Sequence, residues 1–172
     1  DLALAYDAMQ GGDPDDPVCT TRPPEPVSKL LDNDIGSLRV AIAGGYFQSN
    51  LFPEAIEAVA RVANALGVTR TIEIPQAARA RAAAYVISTC EGAALHLDRL
   101  RKRPEDYDPA VRDRLIAGAM VPAPLVVRAQ KFRRWYREQV LELFKSVDII
   151  LAPATPCIAP KRRSRYFVVV RL

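Results

Sequence analysis

The stretch APLVVRAQKFRRWYREQVLELFKSVDIILAPATP, residues 123–156, joins a long amphipathic segment to a short apolar run and a proline-bounded turn. Leu125, Ala129, Phe132, Tyr136, Val140, Leu143 and Val147 recur every three or four positions, which places them on one helical face. That face must be buried. Arg128, Lys131, Arg134, Glu138, Glu142 and Lys145 occupy the other side as a solvated face, over roughly 35 Å of helix at ~1.5 Å per residue. Asp148-Ile149-Ile150-Leu151-Ala152 then reads as a strand covered on both faces, in the centre of a sheet. Pro153 and Pro156 stop it, since neither can donate to a ladder. A long helix feeding a buried strand implies a large α/β domain, of which these residues are expected to be a part.

Composition sets further bounds. The 172 residues are 49% hydrophobic, and the mean hydropathy of −0.03 fits neither a disordered chain nor a membrane protein. No apolar run approaches the ~20 residues a bilayer requires, and the start, Asp1-Leu2-Ala3-Leu4, has no initiator Met and no basic leader. The cytoplasm is therefore the expected location. Of the 24 basic side chains, five lie in residues 161–172, which hold no acidic residue; the remainder nearly balances the 20 acidic ones. A body without a basic stripe gains little from counterion release, so nucleic acid is not an expected partner. Cys19, Cys90 and Cys157 are odd in number and far apart, and His96 is the single histidine. They suggest no disulfide framework and no metal site, and no cofactor is expected.

In chain order, Asp1–Met9 reads as a helix ended by Gly11-Gly12, and the Pro- and Asp-rich residues 13–26 as a surface crossing. Leu38–Ala43 is the first clear strand. A helix follows with Ile56, Val59, Ala60, Ala63 and Leu66 on one stripe, capped by Gly67, and Thr69–Ile74 is a second strand. Strand, helix, strand at this spacing predicts parallel pairing through a right-handed crossover. Gln76–Arg101 reads as a second long helix, apolar almost all round from Ala82 to Ile87 and so expected to be deeply buried. Arg99, Arg101, Lys102 and Arg103 gather at its C-terminal end, where cations complement the helix dipole. Asp108-Pro109 opens another helix, expected to stop near Ala117 before Gly118. Residues 161–172, a basic run against Tyr166-Phe167-Val168-Val169-Val170, read as an atypical tail.

Four segments taken in order resemble the C-terminal half of the amidase signature family. They are DLALAYDAMQGGDPDDP at 1–17, Ala84-Tyr85-Val86-Ile87-Ser88-Thr89-Cys90-Glu91-Gly92-Ala93, Val111-Arg112-Asp113-Arg114-Leu115-Ile116-Ala117-Gly118, and Val147–Pro156. The resemblance covers about residues 1–160, which are assigned to the C-terminal part of such a domain, with 161–172 as the tail. In texture it is closest to the carboxybiuret hydrolase branch, and it extends to the glutaminase component of tRNA-dependent amidotransferases.

This resemblance implies an α/β fold: part of the mixed-sheet amidase signature fold with covering helices, incomplete in this chain. It also implies C–N bond hydrolysis of a small linear amide through an acyl-serine intermediate. In the family a loop serine attacks, a second serine relays the proton and a lysine is the base, which activates an otherwise weak hydroxyl. The six serines here include one Gly-Ser pair, Gly36-Ser37, and no Gly-Ser-Ser run. The Ser-Ser-Lys set is therefore absent, no catalytic residue is assigned, and the chain alone is expected to be inactive.

What the resemblance does assign is substrate binding, to Tyr85 and Arg114, as a clamp on the substrate's polar end. An arginine offers a carboxylate a planar pair of donors. The competing reading pairs Arg114 with Asp113, Asp148 or a surface carboxylate and packs Tyr85 in a core. Expected partners are a small-molecule amide substrate and either a small partner subunit or a second copy. The alternatives are a non-catalytic interaction module and a fragment of an amidotransferase glutaminase subunit. Cys157 with His96 as a nucleophile–base pair, Glu91 as an acid–base residue and Gly44-Gly45 as a phosphate loop are weaker readings. Each has a structural alternative: inert packing, a paired carboxylate and a tight turn.

Overall fold

The computed structural model describes residues 1–33 and 36–159; the tail assigned to 161–172 lies outside the described residues. The chain divides into two units, the first ending at Leu38 and the second beginning at Arg39.

The first unit carries α1 (Leu2–Met9), whose N-cap Asp1 makes no side-chain capping bond. Two polar side chains at its C-terminal end tie it to residues 25–28. Asp7 accepts from the Val27 amide at 2.7 Å and from the Ser28 amide at 3.0 Å, and also takes the Ser28 hydroxyl. The Ser28 hydroxyl is the main reason that the Asp7 carboxyl titrates below its ordinary range. Gln10 accepts from the Glu25 amide at 2.7 Å and donates to its carbonyl at 3.0 Å, so the side chain stands in for a strand neighbour.

The second unit is α/β. Its described sheet has three strands, β1 (Val40–Ala43), β2 (Thr71–Ile72) and β3 (Ile149–Leu151), in the order β2-β1-β3. Both pairings are parallel, with Ile42 opposite Thr71 and Val40 opposite Ile149. Between β1 and β2 lies α2 (Pro53–Ala65), capped by Gly67 at φ +65°. From β2 to β3 run α3 (Ala77–Lys102), α4 (Pro109–Ala119) and α5 (Ala123–Leu143).

Three expectations need correcting. First, β3 is an edge strand among the described residues, with Ile149 39% exposed, and β1 is central. An apolar run reports potential burial, whereas strand order depends on which way the crossovers carry the chain. Second, Ala82–Ile87 is not deeply buried: Ile87 is, but Ala82, Ala84 and Tyr85 face outward. Third, Gly118 does not terminate α4; it lies buried within the helix.

The interior is thin. Buried apolar side chains among the described residues are mostly alanines, Ala41, Ala43, Ala63, Ala77, Ala93 and Ala129, joined by Ile87, Leu100 and Val147. The inward stripe of α5 is read correctly, yet only Ala129 and Val147 in it are fully covered, and Ile56 on α2 is open. Patches of this kind are surfaces built to be covered.

Two arginines fix the corner between α5 and β3. Arg39, just before β1, grips Asp148 through Nε at 3.0 Å and Nη2 at 2.8 Å while its Nη1 donates to the Lys145 carbonyl at 2.7 Å. Arg70, just before β2, donates to the Ser146 carbonyl at 2.8 Å and hydroxyl at 3.0 Å. The Arg39 side chain holds the Asp148 carboxyl down at about 2. A carboxyl depressed by folding stabilises the fold above its unfolded value near 3.8, and that contribution is lost as pH falls through about 2. The expected result is a urea midpoint that drops from pH 6 to pH 2 in the parent chain, with a smaller drop in Asp148→Asn. Equal acid dependence in the two would disprove the role of this pair.

Candidate functional site

Tyr85 lies on α3 and Arg114 on α4, so their meeting depends on how closely those helices approach. Asp108 caps α4, its side chain accepting from the Ala110 amide at 2.9 Å, and Pro109 occupies the first turn. Further along, Gly118 lets α4 pass directly over α3: a Cβ there would overlap the Thr89 carbonyl oxygen. Thr89 turns its hydroxyl back to the Tyr85 carbonyl at 2.7 Å, satisfying it within the helix. The close crossing fixes the spacing of every facing pair along the two helices.

Tyr85 and Arg114 line one depression of about 380 Å³ with Pro109, Ala110, Asp113 and Ala117. Tyr85 is 56% exposed and is not packed in a core. The ion pairs weighed for Arg114 do not form: Asp113 is engaged by Arg112 Nε at 3.3 Å, and Asp148 by Arg39. Among the described residues no carboxylate lies within 4.0 Å of the Arg114 guanidinium. An arginine with unused donors beside a phenol, on a small-residue floor, can hold a carboxylate or a carbonyl oxygen.

The other candidates fall elsewhere. His96 Nδ1 is 3.3 Å from the Tyr107 hydroxyl, and the Cys157 carbonyl accepts from the Thr155 hydroxyl at 2.6 Å. Neither contact builds a nucleophile–base pair. Glu91 is exposed on α3. Gly45 has φ +52°, and the Glu73 carboxylate lies where a Cβ of Gly44 or Gly45 would be, so this turn faces an anion rather than cradling one. The hydroxyls of Ser49, Ser88 and Ser146 donate to backbone carbonyls, and that of Ser28 to Asp7. Among the described residues no serine hydroxyl is bonded to a lysine amine, and no three His, Cys, Asp or Glu side chains gather as metal ligands. No described helix is long and apolar enough to cross a membrane.

The sequence reading missed Asp113, Pro109 and Ala110 as lining residues, although the latter two open the helix it placed correctly. It also read Gly118 as a stop, when a glycine inside an amphipathic helix can equally mark a close helix crossing.

The family model described as Amidase matches residues 1–169. This chain belongs to the amidase family. The AtzE subunit of 1-carboxybiuret hydrolase from Pseudomonas sp. (strain ADP) is 48% identical over 159 residues, covering 92% of this amidase chain and 35% of its own length. The first subunit of the glutamyl-tRNA(Gln) amidotransferase from Azotobacter vinelandii (strain DJ) is 29% identical over 185 residues, covering 91% of the chain and 38% of its own length. An inhibitor-bound solved structure, described as a vestigial protein complex that reveals the origins of an s-triazine catabolic enzyme, superposes with a TM-score of 0.86. It is 47% identical and covers 95% of this chain and 36% of its own. The amidase chain thus spans about a third of the length of the relatives it matches.

Proposed function

We propose that this amidase chain forms the substrate-gripping wall of an amidohydrolase that cleaves the C–N bond of a small linear amide through an acyl-serine intermediate. Tyr85 and Arg114 hold the polar end of the substrate. The nucleophilic serine, the relay serine and the lysine base come from family sequence outside these residues. The observation that carries the reading is the single depression shared by Tyr85 and Arg114, in which the guanidinium has no carboxylate partner among the described residues.

A relative named as part of a 1-carboxybiuret hydrolase, at 48% identity, supports a carboxylated, biuret-like amide as the substrate class. Such a substrate brings the anionic end that a free guanidinium suits. A glutaminase role within an amidotransferase would use the same clamp on an amino-acid carboxylate, and the 29% identity of that relative gives it less support. That the carboxybiuret hydrolase relative is named as one of several subunits supports a protein partner in addition to the small-molecule substrate.

The test is covalent. The chain by itself is expected to hydrolyse no amide and to resist a fluorophosphonate serine probe, whereas a polypeptide that adds the Gly- and Ser-rich loop is labelled and active. Labelling of the isolated chain at any of its serines overturns the division of labour.

A further inference from the structure

We propose that the groove between α3 and α5 is a docking site for an acidic, apolar-bearing segment of a separate polypeptide, gripped by Arg79 and Arg128. The groove encloses about 290 Å³ over a floor of Ala82, Ala83, Val86 and Ala129. Positions 79, 82, 83 and 86 are three or four apart, so Arg79 and the floor share one stripe of α3.

The walls are cationic and aromatic. The Arg79 guanidinium stands over the Phe132 ring, 5.2 Å from its centroid. Phe132 in turn lies 5.3 Å from the Trp135 ring and stacks on Tyr136 at 6.0 Å. Stacking restrains the guanidinium plane while its edge N–H groups stay available. Trp135 remains 42% exposed. Arginine, tryptophan, tyrosine and phenylalanine are the types concentrated in protein interfaces and their hot spots.

The charge is unbalanced. No Asp or Glu occurs in residues 77–90 or 123–137. Among the described residues, no ion pair uses Arg79, Arg128, Lys131, Arg133, Arg134 or Arg137. An occupant that complements both features carries carboxylates for the two arginines and aliphatic side chains for the alanine floor. A sugar–phosphate backbone would satisfy the charges but leave the apolar floor uncovered. The groove shares no lining residue with the depression of Tyr85 and Arg114, so its occupant is independent of the role proposed for them.

Trp135 is the single tryptophan, so its emission reports directly on the groove. The probe is a short synthetic helical peptide of leucine and glutamate, compared with its glutamine counterpart, titrated into the full chain. The expected result is a saturable change in emission and binding of the glutamate peptide about tenfold tighter than the glutamine one. Arg79→Gln and Arg128→Gln each erase that preference with unchanged helical circular dichroism, and Arg79→Lys retains part of it. Equal binding of the two peptides, or no response, overturns the proposal. So does displacement of the peptide by a short single-stranded oligonucleotide, which would assign the groove to nucleic acid. Self-association abolished by the same variants would overturn it in favour of a second copy, and loss of the response in a longer polypeptide carrying more family sequence would overturn it in favour of that sequence.

Discussion

Gly118→Ala is expected to destabilise the chain by about 1–3 kcal/mol, and Gly118→Val by more, because neither helix at the α3–α4 crossing can give way locally. The added Cβ would overlap the Thr89 carbonyl oxygen and lie 2.6 Å from its carbon, and both are backbone atoms inside a regular helix. Alanine recovers ~1 kcal/mol of helix propensity over glycine, so the clash has to exceed that gain before any loss appears. Contacts this close exceed it, since relief requires α3 and α4 to move apart as bodies. Gly92 supplies the control on the opposite helix. A Cβ there would meet the Leu115 Cδ2 at 3.2 Å, the end of a flexible side chain, so Gly92→Ala is expected to be neutral or stabilising. Urea titrations followed by circular dichroism compare the two. If Gly118→Ala matches the parent, the helices do not cross at the distance described.

Loss of the Arg114 guanidinium is expected to weaken substrate binding about 10- to 100-fold in a catalytically complete amidase containing this segment, as for a charge-assisted hydrogen bond of ~1.5–3 kcal/mol. The increase should appear in KM with kcat little changed, because a group that grips the non-reacting end of a substrate binds ground and transition states alike. Arg114→Lys keeps the charge but not the paired donors, so it should recover only part of the loss. Tyr85→Phe, which deletes one hydroxyl, should cost less than Arg114→Met. An unchanged KM for Arg114→Met would remove the clamp from the mechanism. The two predictions are linked through geometry: Gly118→Ala separates α3 from α4 and should also raise KM, without touching a lining residue.

Much of the local structure was legible in the residues. The period of α5, from Leu125 to Leu143, marked both its inward stripe and its solvated face, and all six charged residues read on that face are exposed. Gly67 was placed as a cap from its position after an apolar stripe, and it has the left-handed φ such a cap requires. The strand–helix–strand spacing around Val40–Ile72 implied the parallel pairing that β1 and β2 make. These are short-range consequences of side-chain periodicity and backbone sterics, so a single segment contains them in full.

Exposure was less legible. A run such as Ala82–Ile87 states how much burial a helix tolerates, not how much it receives, and Tyr85 stays open beside the depression. The free state of Arg114 was also undetermined, because three acidic candidates competed for it until Arg112 and Arg39 were seen to hold two of them.

The sequence alone thus determined the elements, their amphipathic faces and, through four ordered motifs, the family. Tertiary structure decided which strand is central, that Gly118 is a crossing point rather than a stop, and that Tyr85 and Arg114, 29 positions apart on different helices, share one depression. The physical reason is range. Helix period, caps and turns depend on neighbours within a few residues, whereas strand order, close crossings and free cations depend on partners distant in the chain, such as Asp148 for Arg39 and Thr89 for Gly118.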